Sequence, residues 1–262
     1  MRSARFGLVL YFFLINPSVW GQQTQPGTAP SPAPKDPQAV SVVNQAVAVA
    51  GGPTAIAAIN DYTATGNITY HSGQDVQGSV TVQGLGLNQY RLDANLPNGV
   101  RSSVVTDGRM SLKAEDGSVK PIHSQVAMHL SGLVVPYLEL SIALNSPAFG
   151  LSSKGVVEVQ GHSAYDIQVQ LAGRGPNRPG YLADFYSRDY FVDAVTFQVV
   201  MTQDLAPRHV IRQLQYSDFR PISGVLVPFS ISEVAGGQQT WSMQLRQISF
   251  NTGLQDSAFA LQ

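Results

Sequence analysis

Cysteine is absent from all 262 residues. That excludes disulfides, thiol nucleophiles, cysteine-built metal sites and a lipid-modified N-terminal cysteine. Charge is scarce as well: 13% of residues are Asp, Glu, Lys or Arg, and the net charge is −1. No part of the chain is basic enough to grip nucleic acid. Missing too are an H-E-x-x-H zinc helix and a G-x-S-x-G elbow. His123 and His129 stand six apart, off the i, i+3 or i+4 spacing of one helical face, and His71, His162 and His209 stand alone. Gly84-Leu85-Gly86 has no helix pattern after it and fails as a dinucleotide loop. A Ser–His–Asp set drawn from distant positions leaves no local motif, so the sequence does not decide on it. The expectation is a non-enzymatic protein without metal or cofactor.

No apolar run reaches the ~20 residues needed to cross a bilayer as a helix. The longest opens the chain: Arg2 and Arg5 precede the apolar Phe6–Ile15, Asn16-Pro17 breaks it, and Val19-Trp20-Gly21 offers a cleavage site. This is the pattern of a secretory signal peptide over residues 1–21. Its removal would take the net charge from −1 to −3. Residues 22–37 are Pro-rich and hold no large apolar side chain, which reads as an extended, disordered linker. The expected location is the bacterial periplasm.

Residues 38–262 read as one domain. Val40, Val42, Val43, Ala46, Val47 and Ala50 follow helical spacing, Gly51-Gly52 stops it, and Pro53 opens a second short helix through Ile59. From Tyr62 the period becomes two. Strands are expected at 62–71, 76–85, 89–96, 100–106 and 110–114, with Asn98-Gly99 and Asp107-Gly108 as hairpin turns. Between Lys120 and Ala148 the chain is strongly apolar, and Gly132 and Pro136 divide it into two short helices. Strands resume at 156–160, 163–171, 190–192, 196–203, 209–219, 225–233 and 240–250. Asp184, Asp189 and Asp193 read as turn and edge residues. Pro221 and Pro228 cannot donate to a ladder and belong at edges or strand ends. The fold class is mainly β: a large, antiparallel, incompletely closed barrel with an N-terminal helix and a helical lid.

Three stretches carry a family resemblance: Gln89–Asp93 followed by Val104–Gly108, then Asp189–Thr196, then Asp218–Ile231 continuing into Ile248–Phe259. Their order and spacing resemble the outer-membrane lipoprotein carrier and receptor family, the LolA/LolB-like and lipoprotein-sorting proteins. Met110 departs from the aromatic that the family often has there. The resemblance implies an open barrel whose lid covers an apolar cavity for lipoprotein acyl chains or another lipid, with membrane-associated transfer partners. It further implies that Arg91, on an early strand, latches the lid. The ligand-binding candidates are Arg91, Met110, Val126, Leu130, Leu133, Val134, Tyr137 and Leu138. The alternative is a structural or protein-interaction domain of the cell envelope whose barrel is filled by its own side chains.

Overall fold

The computed structural model describes residues 33–106, 109–122, 130, 132–171, 187–206 and 209–261. The signal-peptide expectation, residues 22–32 of the linker, His123, Val126, His129 and Asp184 lie outside these. The last linker residues are ordered, contrary to expectation. Ala33 N donates to Pro147 O (3.0 Å), Asp36 N to Leu151 O (2.8 Å), and Lys35 Nζ to Leu144 O (2.7 Å). Asp36 then caps helix α1 (Pro37–Val49), its carboxylate accepting from Gln38 N and Ala39 N. Proline at N1 and an acidic N-cap satisfy donors that would otherwise be orphaned. Ala39, Val42, Val43, Ala46 and Val47 form the buried stripe of α1, and α2 (Pro53–Ala57) adds Ile56.

The first meander comprises β1 (Asp61–Ser72), β2 (Gln74–Leu85), β3 (Gln89–Leu96), β4 (Gly99–Thr106), β5 (Arg109–Lys113) and β6 (Val119–Ile122). The second comprises β7 (Phe149–Val159), β8 (His162–Leu171), β9 (Ser187–Asp193), β10 (Val199–Ala206), β11 (Val210–Ile222), β12 (Val225–Ala235) and β13 (Gln238–Phe250). All pairings are antiparallel, and β13 closes on β1 to give one sheet of order β6-β5-β4-β3-β2-β1-β13-β12-β11-β10-β9-β8-β7. The edges β6 and β7 are not hydrogen-bonded to each other. The barrel is therefore open, and the chain between its free edges supplies helix α3 (Tyr137–Asn145).

Two expectations are corrected, one at an edge and one in the turn between β9 and β10. The helical reading from Lys120 overlaps β6, which is a strand. Pro121 is tolerated there because β6 pairs on one side only, with β5. The expected strand start at Thr196 belongs to a turn, where the Asp193 carboxylate accepts from Val195 N, Thr196 N and Thr196 Oγ1. Pro221 and Pro228 lie inside the β11–β12 ladder, paired with Leu226 and Phe219, where neither strand has a second neighbour. Pairing of β10 with β11 ends at Gln215, and that of β12 with β13 begins at Ser230. The β11–β12 hairpin projects beyond its neighbours, and its tip meets α1: Leu226 N donates to Ala50 O (2.9 Å).

Gly84 faces Tyr62 across the β1–β2 ladder, and a Cβ there would lie 2.3 Å from the Tyr62 ring. Gly84→Ala should cost about 1–3 kcal/mol, the usual penalty of overpacking. Urea denaturation should show a lower midpoint at unchanged slope.

The closing Asn251-Thr252-Gly253 is a clamp on β1. Asn251 accepts from Asn60 N and donates to Ala58 O, while Asp61 accepts from Thr252 N (2.6 Å), Thr252 Oγ1 (2.7 Å) and Gly253 N (3.0 Å). Burial pushes the Asp61 pKa up, but the Thr252 and Gly253 bonds outweigh it and hold it below the ordinary 3.8. A depressed carboxylate stabilises the fold above its unfolded pKa, and this contribution disappears as pH falls through the folded value. Asp61→Asn should therefore destabilise at pH 7, by about 1–3 kcal/mol for a charged acceptor lost. The gap to wild type should shrink in urea titrations below pH 4.

Candidate functional site

Side chains alternate across β3: Tyr90, Leu92, Ala94 and Leu96 are buried inward, and Arg91 and Asp93 face out. The same alternation sends Ser103 of β4, Met110 and Leu112 of β5, and Ile122 of β6 inward. Sheet curvature brings Ala206, Arg212, Glu233 and Trp241 of β10–β13 round to face them, and Leu130 and Leu133 of the insertion close over the top. Between these walls lies a cavity of about 540 Å3. That is within the roughly 300–1,000 Å3 of pockets that enclose small molecules. A second recess of about 480 Å3 lies on the outer face beneath Phe259 and Leu261, against Val104, Thr106, Arg109 and Ser111. The inner cavity is the candidate site because it lies under the lid and its middle is walled by aliphatic side chains.

The lid fills the rest of the barrel. Val134, Tyr137 and Leu138 are buried in the main core, with α3 packed against α1, α2 and β7. Polar handles fix its position. Tyr137 Oη accepts from Val199 N (3.2 Å), and Tyr190 Oη donates to Glu139 Oε2 (2.6 Å). Burial first, then the Glu139 charge, drives the Tyr190 phenol pKa well above its ordinary value, so it remains a donor.

Glu139 begins a buried charge chain. Arg188 Nη1 lies 3.8 Å from Glu139 Oε2, and Arg188 Nη2 donates to Asp204 Oδ2 (2.8 Å). Asp204 also accepts from Arg212 Nε (2.8 Å) and Nη2 (2.6 Å), and Arg212 Nη1 reaches Glu233 Oε2 at 3.5 Å. Arg188 is 1% exposed. Burial alone would lower its pKa, but Asp204, Tyr190, Glu139 and Tyr216 together outweigh that and hold the guanidinium charged. The chain runs from the lid to Arg212 and Glu233 in the cavity wall.

Of the residues named from the sequence, Met110, Leu130 and Leu133 line the cavity. Val134, Tyr137 and Leu138 sit in the packed core instead. Arg91 does not reach the described lid residues. Its Nε bonds Asp93 (2.7 Å), and its Nη1 bonds Ala258 O and Ala260 O (both 2.9 Å), strapping the C-terminal turn to the outer face. The reason is parity: with Tyr90 and Leu92 inward, position 91 must point out. The lid is held by Glu139, Arg188 and Tyr190, which the sequence reading passed over. The available signal was Glu139 itself, one carboxylate in the apolar run Val134–Leu144, where burial demands a partner.

The structure does assemble one Ser–His–Asp set. His71 Nδ1 lies 2.9 Å from Asp75 Oδ1, and His71 Nε2 lies 3.1 Å from Ser242 Oγ. Asp75 is 59% exposed, and Gln239 Nε2 stands 3.3 Å from the same ring nitrogen that would deprotonate the serine. Neither cavity includes any of the three residues. The trio ties the β1–β2 hairpin to β13. Among the described residues, no group of three or more His, Asp or Glu is placed to hold a metal ion.

No protein-family model matches the sequence, and no curated protein matches it. Solved structures do. A DUF1329 family protein from Desulfovibrio piger superposes with a TM-score of 0.54 at 10% identity, covering 85% of this chain and 97% of the other. A LolA superfamily protein from Nitrosomonas europaea gives 0.53 at 11% identity, covering 85% and 97%. An outer membrane lipoprotein-sorting protein domain from Vibrio parahaemolyticus gives 0.51 at 9% identity, covering 85% and 96%. The fold is LolA-like, as the residue pattern implied.

Proposed function

We propose that this LolA-like chain is an exported, non-enzymatic carrier that holds a lipid or lipoprotein acyl chain in the inner cavity and works in the bacterial periplasm. The observation that carries this reading is the partly open cavity of about 540 Å3 between β3–β6, β10–β13 and Leu130 and Leu133 of the insertion. A barrel meant only as an envelope scaffold would fill that space with its own side chains, as α3 fills the other half. Binding there would remove apolar surface of the ligand from water at about 25 cal/mol per Å2. The names of the Nitrosomonas and Vibrio proteins fit this reading, as does the N-terminal secretion pattern. The test is titration of the purified mature chain with Nile red, an uncharged apolar dye. A saturable, blue-shifted emission that unlabelled lipid displaces supports the carrier reading, and unchanged emission opposes it.

A second reading, ester hydrolysis at Ser242, has the His71 and Asp75 bonds in its favour. A labelled fluorophosphonate that reacts with wild type and spares Ser242→Ala would support it; absence of labelling would remove it.

A further inference from the structure

The inner cavity changes character along its strands. In the β3–β6 wall, register sets Tyr90 opposite Val105, Val105 opposite Met110, and Met110 opposite Ile122, an apolar row. Two residues on, about 7 Å along the strands, the row is Leu92, Ser103, Leu112 and Lys120. Beyond it Ala94 faces Arg101, and Ala114 N donates to Ser118 O in the β5–β6 turn. The lining therefore passes from apolar to polar toward that turn. Both arginines that line the cavity are already compensated: Arg101 Nη2 lies 2.7 Å from Glu115 Oε1, and Arg212 Nη2 donates to Asp204 Oδ2 (2.6 Å). They supply polar surface and leave the charge of a head group unselected.

The apolar walls do not yield. Ile68, Tyr90 and Leu133 line the cavity and are only 1%, 2% and 1% exposed, packed into the same core as Val134, Tyr137 and Leu138. Spreading them would break a close-packed interior. The space they leave is about 540 Å3. A chain carbon with its hydrogens takes roughly 30 Å3, the share of liquid volume of one water. The cavity therefore holds at most about eighteen chain carbons, which is one long alkyl chain. Two sixteen-carbon chains would need roughly 1,000 Å3. Because the cavity is partly open, carbons in excess would project into water.

We infer that the ligand is a single-chain amphiphile, with one unbranched alkyl chain of at most about eighteen carbons. Its tail end lies against Tyr90, Met110 and Ile122, and its polar group points toward Arg101 and the β5–β6 turn. The inference rests on the carrier reading and adds chain number, length and direction to it. A two-chain lipid could bury one chain only, and the second would stay in water or in the bilayer that supplied it.

The first test is selection from a bilayer. The mature chain is incubated with dioleoyl phosphatidylcholine vesicles that carry palmitic acid and palmitoyl lysophosphatidylcholine as minor components, then separated and weighed by native mass spectrometry. The expected result is one single-chain lipid per protein and no phosphatidylcholine, despite its excess. Which of the two is recovered separates a free acid from a lysolipid. Recovery of phosphatidylcholine, or of two single-chain lipids per protein, would overturn the inference while leaving the carrier reading standing. No lipid on a preparation that still takes up Nile red would overturn it as well. A preparation that takes up neither would remove both readings together.

The second test is displacement of Nile red by fatty acids of eight to twenty-two carbons, each below its micelle concentration. Affinity should tighten about fourfold per carbon, the worth of one buried methylene, up to about eighteen carbons and gain nothing beyond. In Met110→Ala, which shortens a side chain of the apolar row, the plateau should move out by about two carbons. Continued tightening to twenty-two carbons in wild type would overturn the length limit. A plateau that Met110→Ala leaves in place would overturn the direction of the chain.

Discussion

Arg188→Ala should lower the unfolding free energy by about 3–5 kcal/mol, the cost of leaving buried carboxylates without their cation. Arg188 is enclosed between Glu139 on the lid and Asp204 on β10. Removing it takes from Asp204 one of the two arginines bonded to it and from Glu139 the guanidinium 3.8 Å away. Urea denaturation followed by tryptophan fluorescence would measure the loss. Glu139→Gln should cost less, because a glutamine oxygen can still accept from Tyr190 Oη. A loss below about 1 kcal/mol for Arg188→Ala, the level of an exposed ion pair, would contradict the assignment of this chain of charges as the lid's anchor.

Leu112→Trp should have the largest effect on binding. Leu112 is half-buried on β5, paired with Ser103 and Lys120, and its side chain borders the cavity without being locked in the core. An indole there would occupy space that the ligand needs. Nile red affinity should fall at least tenfold, a loss of about 1.4 kcal/mol. Stability should stay within about 1 kcal/mol of wild type, since the added bulk enters empty volume instead of packed side chains. A variant that binds as wild type does would mean that the dye sits elsewhere, with the outer recess near Phe259 the next site to probe.

Much of the scaffold was legible because it rests on local chemistry. Asn98-Gly99 names the β3–β4 hairpin, Gly51-Gly52 ends α1, and the period-two runs locate the long strands. Short edge strands were not legible: β6 is four residues long and contains Pro121, so neither length nor periodicity distinguishes it from the apolar insertion. Met110, Leu130 and Leu133 line the cavity because apolar side chains on a lid and a facing strand converge in an open barrel. The polar half of the site was missed for a different reason. Arg188, Asp204, Arg212 and Glu233 lie on four successive strands, and only register brings them together. Register is a long-range property set by turn geometry and bulges, such as those at Thr65/Gly66 and Glu233/Val234. Arg91 shows the reverse case. Its alternation with Tyr90 and Leu92 was readable and already directed it away from the cavity.

The most direct measurement is native mass spectrometry of the mature chain purified from a periplasmic extract without detergent. The carrier reading predicts a second population heavier by the mass of a lipid, released by organic solvent and depleted in Leu112→Trp. Recovery of ligand-free protein alone, from a preparation that also takes up no Nile red, would contradict it and favour a self-filled envelope scaffold.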